Sequence, residues 1–245
     1  MIRVDGARSG VRTGPLLFAG AVVAIIVGFL ALDQLAGVRD QMLIGAATWG
    51  ALLAACVPLT PEGRARVLIV VMVATCGEIL GSIVIGAYEY RLGNLPAFVP
   101  PGHGLVYLAG FAISQAESVR RHRRAFLGAN VAVVAAWSIA GLVLLGRPDL
   151  LGALCAAPLI YVLVRGRAPT LYAGVFLIVA FLELYGTAIG SWTWAELVPG
   201  TPVPAGNPPS GIAGAYVLFD IAAIAFAPWL LAWLRTLRRL RPRLA

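Results

Sequence analysis

The chain has 245 residues, 60% hydrophobic and 12% charged, with a mean hydropathy of +0.88 and a net charge of +8. That balance excludes a soluble globular domain and predicts an all-α, polytopic membrane protein. It also argues against a nucleic-acid partner, because all 19 basic residues are Arg and their placement follows a membrane.

Apolar stretches long enough to span, about 20 residues for a ~30 Å hydrocarbon core, run over 15–36, 41–60, 66–90, 104–118, 125–146, 149–164, 169–194 and 209–234. They predict eight helices. The first passes Leu35 without a small-residue cleavage site and reads as a retained span. In an eight-span arrangement 16 Arg fall on one side and only Arg39, Arg91 and Arg147 on the other. This positive-inside bias puts both termini in the cytoplasm of a bacterial-type plasma membrane. The segments then divide into an N-terminal tail (1–14), a first four-helix unit (15–118), an Arg-rich linker (119–124), a second unit (125–234) and an Arg-rich tail (235–245).

The units carry an internal repeat. Glu78, Gly81, Ser82, Gly86, Tyr88, Tyr90, Val99, Pro100, Gly102 and His103 recur in order as Glu183, Gly186, Thr187, Gly190, Trp192, Trp194, Val203, Pro204, Gly206 and Asn207. The first copy has one residue more between its glutamate and its second glycine. With four helices per unit both copies share an orientation, so the repeat is parallel and its pseudo-twofold axis lies along the membrane normal.

Each third helix carries its glutamate in an apolar segment, where an ionisable group is costly and by default functional. In the second copy Glu183, Gly186, Thr187 and Gly190 fall on one helical stripe, and small residues there suit close helix approach. Tyr88, Tyr90, Trp192 and Trp194 fit an interfacial aromatic belt. Counting back from Tyr90 at 1.5 Å per residue then places Glu78 ~18 Å below it, near the midplane; Trp194 places Glu183 ~16 Å down. The Pro/Gly-rich segments 92–104 and 199–211 read as irregular loops, either plain turns or caps over a cavity.

Glu78 and Glu183 are therefore candidate acid/base residues, with Asp220, a third acid at depth whose counterpart is Ala116. Tyr88, Tyr90, His103, Trp192, Trp194 and Asn207 are candidate substrate-binding residues. His103 at a helix start also suits a capping role, and its replacement by Asn207 favours hydrogen bonding over proton transfer. Asp33, Asp40, Asp149 and Glu196 read as interfacial and solvated. Cys56, Cys76 and Cys155 read as small packing residues. No nucleotide, hydrolase or zinc motif is present, and no metal or cofactor is expected.

The pattern Glu78, Gly81, Gly86, Tyr88-Glu89-Tyr90, Leu92-Gly93 and Val99-Pro100, with Trp192-Thr193-Trp194 in the second half, resembles the integral membrane carotenoid biosynthesis family that includes bisanhydrobacterioruberin hydratase. The resemblance implies water addition to a terminal isoprenoid double bond, with Glu78 as the acid and Tyr88 and Tyr90 shaping the pocket. Gly102-His103-Gly104 and Asn207-Pro208-Pro209 depart from that pattern.

Three functions remain open. An enzyme acting on a lipid-soluble substrate needs an enclosed apolar cavity at the glutamates. A proton-coupled transporter of a small solute or lipid needs polar groups reaching both faces. A scaffold needs fully paired acids and no pocket.

Overall fold

The computed structural model describes residues 14–240, with side chains to position 237. The predicted N-terminal tail with Arg3, Arg8 and Arg12, and the end of the C-terminal tail with Arg241 and Arg243, lie outside the described residues. The helices are α1 (Pro15–Asp33), α2 (Val38–Cys56), α3 (Pro61–Glu78), α4 (Val99–Gln115), α5 (Glu117–Arg121), α6 (Arg123–Val143), α7 (Leu150–Arg165), α8 (Pro169–Ala188) and α9 (Ala213–Leu240). Proline opens α1, α3, α4 and α8, where its missing N–H costs nothing. Thr60 caps α3 by accepting from the Gly63 N–H at 3.2 Å.

Among the described residues, five helices are long and apolar enough to cross a membrane: α1, α3 with its continuation to Ile85, α6, α8 and α9. The side chains are distributed as lipid demands. Large apolar residues such as Leu80, Ile83, Val84, Phe226 and Trp229 face outward, while Asp33, Gln41, Glu78, Asp149, Glu183 and Asp220 are buried.

Helices α3, α4, α8 and α9 build the centre. α3 packs chiefly on α9, and α4 on α8. At the α4–α8 crossing a Cβ on Gly174 would stand 2.4 Å from the Gly110 carbonyl oxygen, so the helices touch backbone to backbone. The outer helices do not follow the same rule: α1 leans on α4, whereas α6 packs on α7 and α8.

The extra residue of the first copy is absorbed as a π-helical segment, Ile79–Ile85, directly after Glu78. A single π turn takes up one residue without breaking a helix. Both copies then reverse at a left-handed glycine, Gly86 (φ 72°) and Gly190 (φ 76°), a conformation that side-chain-bearing residues rarely adopt. The reversals are closed alike, Ala87 N–H donating to the Gly81 carbonyl and Ser191 N–H to the Gly186 carbonyl, both at 2.8 Å.

Beyond the glycines lies an element that the all-α expectation lacked. β1 (Tyr88–Tyr90) and β2 (Trp192–Trp194) pair antiparallel, with Tyr88 opposite Trp194, Glu89 opposite Thr193 and Tyr90 opposite Trp192. Equivalent residues of the two copies thus exchange places about the Glu89–Thr193 pair. Strand alternation turns Glu89 and Thr193 outward and the four aromatics inward.

Several expectations are corrected. The third helix ends at Ile85 and not Tyr90, because the chain reverses at Gly86. Half of the supposedly irregular segment 92–104 is helix, since α4 begins at Val99 with Pro100 and Pro101 in its first turn. Cys76 is exposed on the apolar surface, not packed.

Asp33 and Asp149 are each 1% exposed and not solvated. Asp149 caps α7 and ties down the long loop before α9, accepting from Gly152 N–H (2.9 Å), Gly206 N–H (2.8 Å) and Ser210 N–H (2.7 Å). Asp33 accepts from Gln41 (2.7 Å) and sits 3.5 Å from Arg91, whose guanidinium also donates to the Ala36 carbonyl at 2.7 Å. Each half anchors its irregular loop to a buried aspartate. Glu196 is exposed, as read, and pairs with Arg147 at 2.9 Å.

Candidate functional site

The ribbon places the aromatics against the glutamates. Because each strand folds back over its helix, the Tyr88 hydroxyl donates to Glu78 Oε2 at 2.5 Å and the Tyr90 hydroxyl to the same oxygen at 2.7 Å. In the second copy the indole N–H groups of Trp192 and Trp194 donate to Glu183 Oε2 at 3.0 and 3.2 Å. The four rings are therefore not an interfacial belt set about 16–18 Å from the carboxyls. A belt and a folded-back cap share one sequence signature, an aromatic pair at a helix end.

The glycine stripe also has a different partner from the one expected. A Cβ on Gly81 would meet the Tyr88 ring at 2.9 Å, and one on Gly186 the Trp192 ring at 2.0 Å. These glycines make room for the returning rings, not for a neighbouring helix. Ser82 and Thr187 donate to the backbone carbonyls of Glu78 and Glu183 at 2.7 and 2.6 Å, so their hydroxyls are spent within the helix.

His103, in the second turn of α4, is not a solvated cap. It is 5% exposed, with Nε2 at 2.8 Å from Glu78 Oε1. Its ring lies against Tyr216 (centroids 5.0 Å apart) and Phe219 (5.7 Å) of α9. Asn207, its counterpart, does not enter the site. Its residue is exposed, and Oδ1 accepts from the Trp194 backbone N–H at 3.1 Å, which positions the ribbon.

Glu78 and Glu183 border one cavity of about 390 Å³. Its polar wall is Glu78, His103, Tyr88, Tyr90, Glu183, Trp192, Trp194 and Tyr216, with Thr48 of α2. Most of the rest is aliphatic or aromatic, including Ile25 and Phe29 of α1, Phe98, Leu182 and Phe219. Tyr88 and Trp194 meet at 4.5 Å between ring centroids and close the roof. Tyr216 and Phe219 were missed by sequence reasoning. The available signal was spacing: Tyr216 lies one helical turn from Asp220, on the same face of α9.

Asp220 does not reach this cavity. It is 2% exposed, on the far side of His103, bordering a small void with Tyr107, Val70, Val106 and Val175; its Oδ2 has no hydrogen-bond partner. His122 is exposed on the α5–α6 connection. Among the described residues no cluster of three or more His, Cys, Asp or Glu could hold a metal ion.

Fold and site together define a helical protein with the character of a multi-pass membrane protein, hollowed around two buried carboxyls. No family model, curated protein or solved structure matches the chain.

Proposed function

We propose that the chain is an intramembrane enzyme that performs acid/base chemistry on a lipid-soluble substrate of the isoprenoid class. One observation carries the reading: Glu78, hydrogen-bonded to His103, Tyr88 and Tyr90, stands in the wall of a largely apolar cavity. Such a cavity suits a hydrocarbon body and leaves the polar cluster at its reacting end. All three side-chain partners of Glu78 can gain or lose a proton. The two indoles on Glu183 cannot, since indole only donates, and the remaining partner of Glu183 is a single phenol, that of Tyr216. Glu78 is accordingly the acid and base, and Glu183 the fixed carboxyl opposite.

For hydration, the reaction implied by the family resemblance, the steps balance without a redox partner. The Glu78–His103 pair gives a proton to the less substituted carbon of the terminal double bond; the π electrons form the new C–H bond and leave the positive charge on the dimethyl-bearing carbon. Water adds to the resulting tertiary carbocation, and the proton it releases returns to the pair. Removing water from the remainder of the cavity strengthens every charge interaction within it.

The finer topology belongs to the same proposal. Eight helices cross a bacterial-type plasma membrane as two parallel four-helix repeats, 15–118 and 125–234, with both termini cytoplasmic. The Arg asymmetry supports it, and two of the three Arg assigned to the outer side, Arg91 and Arg147, are paired with Asp33 and Glu196. The ribbon's twofold pairing supports a dyad along the membrane normal.

Proton-coupled transport is the second reading, favoured by Asp220, which continues the line of ionisable groups past His103. Glu78 and Glu183 are replaced separately by Gln and the lipid extracts of expressing cells compared. A product lost with Glu78→Gln at normal protein level supports the enzyme. Extracts unchanged from wild type in both variants remove it.

A further inference from the structure

The two carboxyls differ in what neutralises them. Glu78 has His103 at 2.8 Å, a partner able to carry a positive charge. Glu183 is 3% exposed and receives two neutral indole N–H groups; among the described residues no Arg or His stands within ion-pair distance of it. Among the described residues no Arg lines the cavity, although the chain carries a net charge of +8. Buried charges are normally paired, because an isolated carboxylate in an apolar medium is costly. The cavity thus holds one carboxyl more than it holds basic residues.

The walls favour the same sign. Phe29, Phe98, Tyr216 and Phe219 join the four ribbon aromatics around the space. Trp192 and Trp194 turn their N–H edges to Glu183. The positive rim of each indole is thereby occupied, and donation to a carboxylate pushes electron density into the ring. With those edges engaged, the electron-rich ring faces are the part of each indole left to attract a cation.

We infer that the cavity selects lipophilic molecules bearing a single positive centre, with Glu183 supplying the countercharge and the aromatic walls holding the apolar body. The inference rests on the proposed binding of a lipid-soluble substrate and assigns the charge that substrate bears or develops. A tertiary carbocation formed by protonating a double bond is one such centre. A quaternary ammonium group is its stable equivalent in shape and charge, and it allows the site to be probed without turnover.

The test uses the purified full chain in lipid nanodiscs, titrated calorimetrically with dodecyltrimethylammonium and with its neutral isostere 2,2-dimethyltetradecane, each corrected for empty nanodiscs. The expected result is binding of the cation at least about tenfold tighter, about 1.4 kcal/mol. Glu183→Gln should remove that preference while the neutral probe binds as before. Equal binding of the two probes by wild type overturns the inference, as does a preference that survives Glu183→Gln. If Glu183→Gln does not fold, the wild-type ratio decides alone. Loss of the cation preference would leave any change in the lipid extracts of Glu78→Gln cells intact, so failure here is distinguishable from failure of the enzyme reading.

Discussion

The ring of Trp192 fills the space that Gly186 leaves empty: a Cβ at position 186 would stand 2.0 Å from the ring's Cη2, with two further ring carbons at 2.4 Å. At the equivalent place in the first half the closest approach, between Gly81 and Tyr88, is 2.9 Å. Gly186→Ala should therefore be the more damaging substitution, since a rigid bicycle held by Glu183 cannot tilt away. Overpacking of this kind costs about 1–3 kcal/mol. Thermal unfolding in detergent should rank wild type, Gly81→Ala and Gly186→Ala in falling order; the reverse order would mean that the ribbon yields freely.

Deleting Val84 should be tolerated. The second half runs from glutamate to glycine with one residue fewer, as ordinary helix, and Val84 is 68% exposed within the π segment. Removal would convert that segment to the α8 pattern and bring Glu78 and Tyr88 to the spacing of Glu183 and Trp192. Circular dichroism of the solubilised deletion variant should match wild type with a similar melting temperature. An unfolded or aggregated product would show that the extra residue is required.

Asp149→Ala should release the loop before α9. It strands three buried N–H groups, those of Gly152, Gly206 and Ser210. An unmade buried hydrogen bond costs about 1–3 kcal/mol. Limited proteolysis should cut the variant within 199–212 well before wild type; an unchanged digestion pattern would contradict the anchoring role.

Asp220→Leu should leave stability unchanged or raise it by about 1–3 kcal/mol, because one carboxyl oxygen is buried without a partner and its replacement removes that penalty. The measurement is again the melting temperature in detergent. A marked loss would show that Asp220 has a partner within the bundle that its geometry does not reveal.

How far the sequence led is clearest at the repeat. The apolar segments were legible because lipid-facing helices must be apolar all round, and the duplicated Glu-Gly-aromatic order was legible because both halves kept it. The direction of the aromatics was not. Tyr88 and Trp192 at a helix end satisfy a membrane interface and an inward cap equally well, and only the left-handed turns at Gly86 and Gly190 decide between them. The π segment lay hidden in the single extra residue, which reads as drift until the two halves are superposed in space. Asp33 and Asp149 looked solvated because residues at helix ends usually are, and their burial depends on distant loops folding over them. His103 was weighed against Asn207 as an equivalent, yet α4 starts before His103 while α9 starts after Asn207. One therefore points at a glutamate and the other stays in a loop.

The most direct measurement is isotopic. Wild type and Glu78→Gln are reconstituted in proteoliposomes made with the isoprenoid lipid fraction of the native membrane, and incubated in heavy-oxygen water. Mass spectrometry then follows oxygen entering that fraction. The expected result is label in a wild-type product heavier than its precursor by one water, and no label with Glu78→Gln. Equal labelling of the two, or none in either with both proteins folded, would contradict acid/base hydration at the Glu78–His103 cavity.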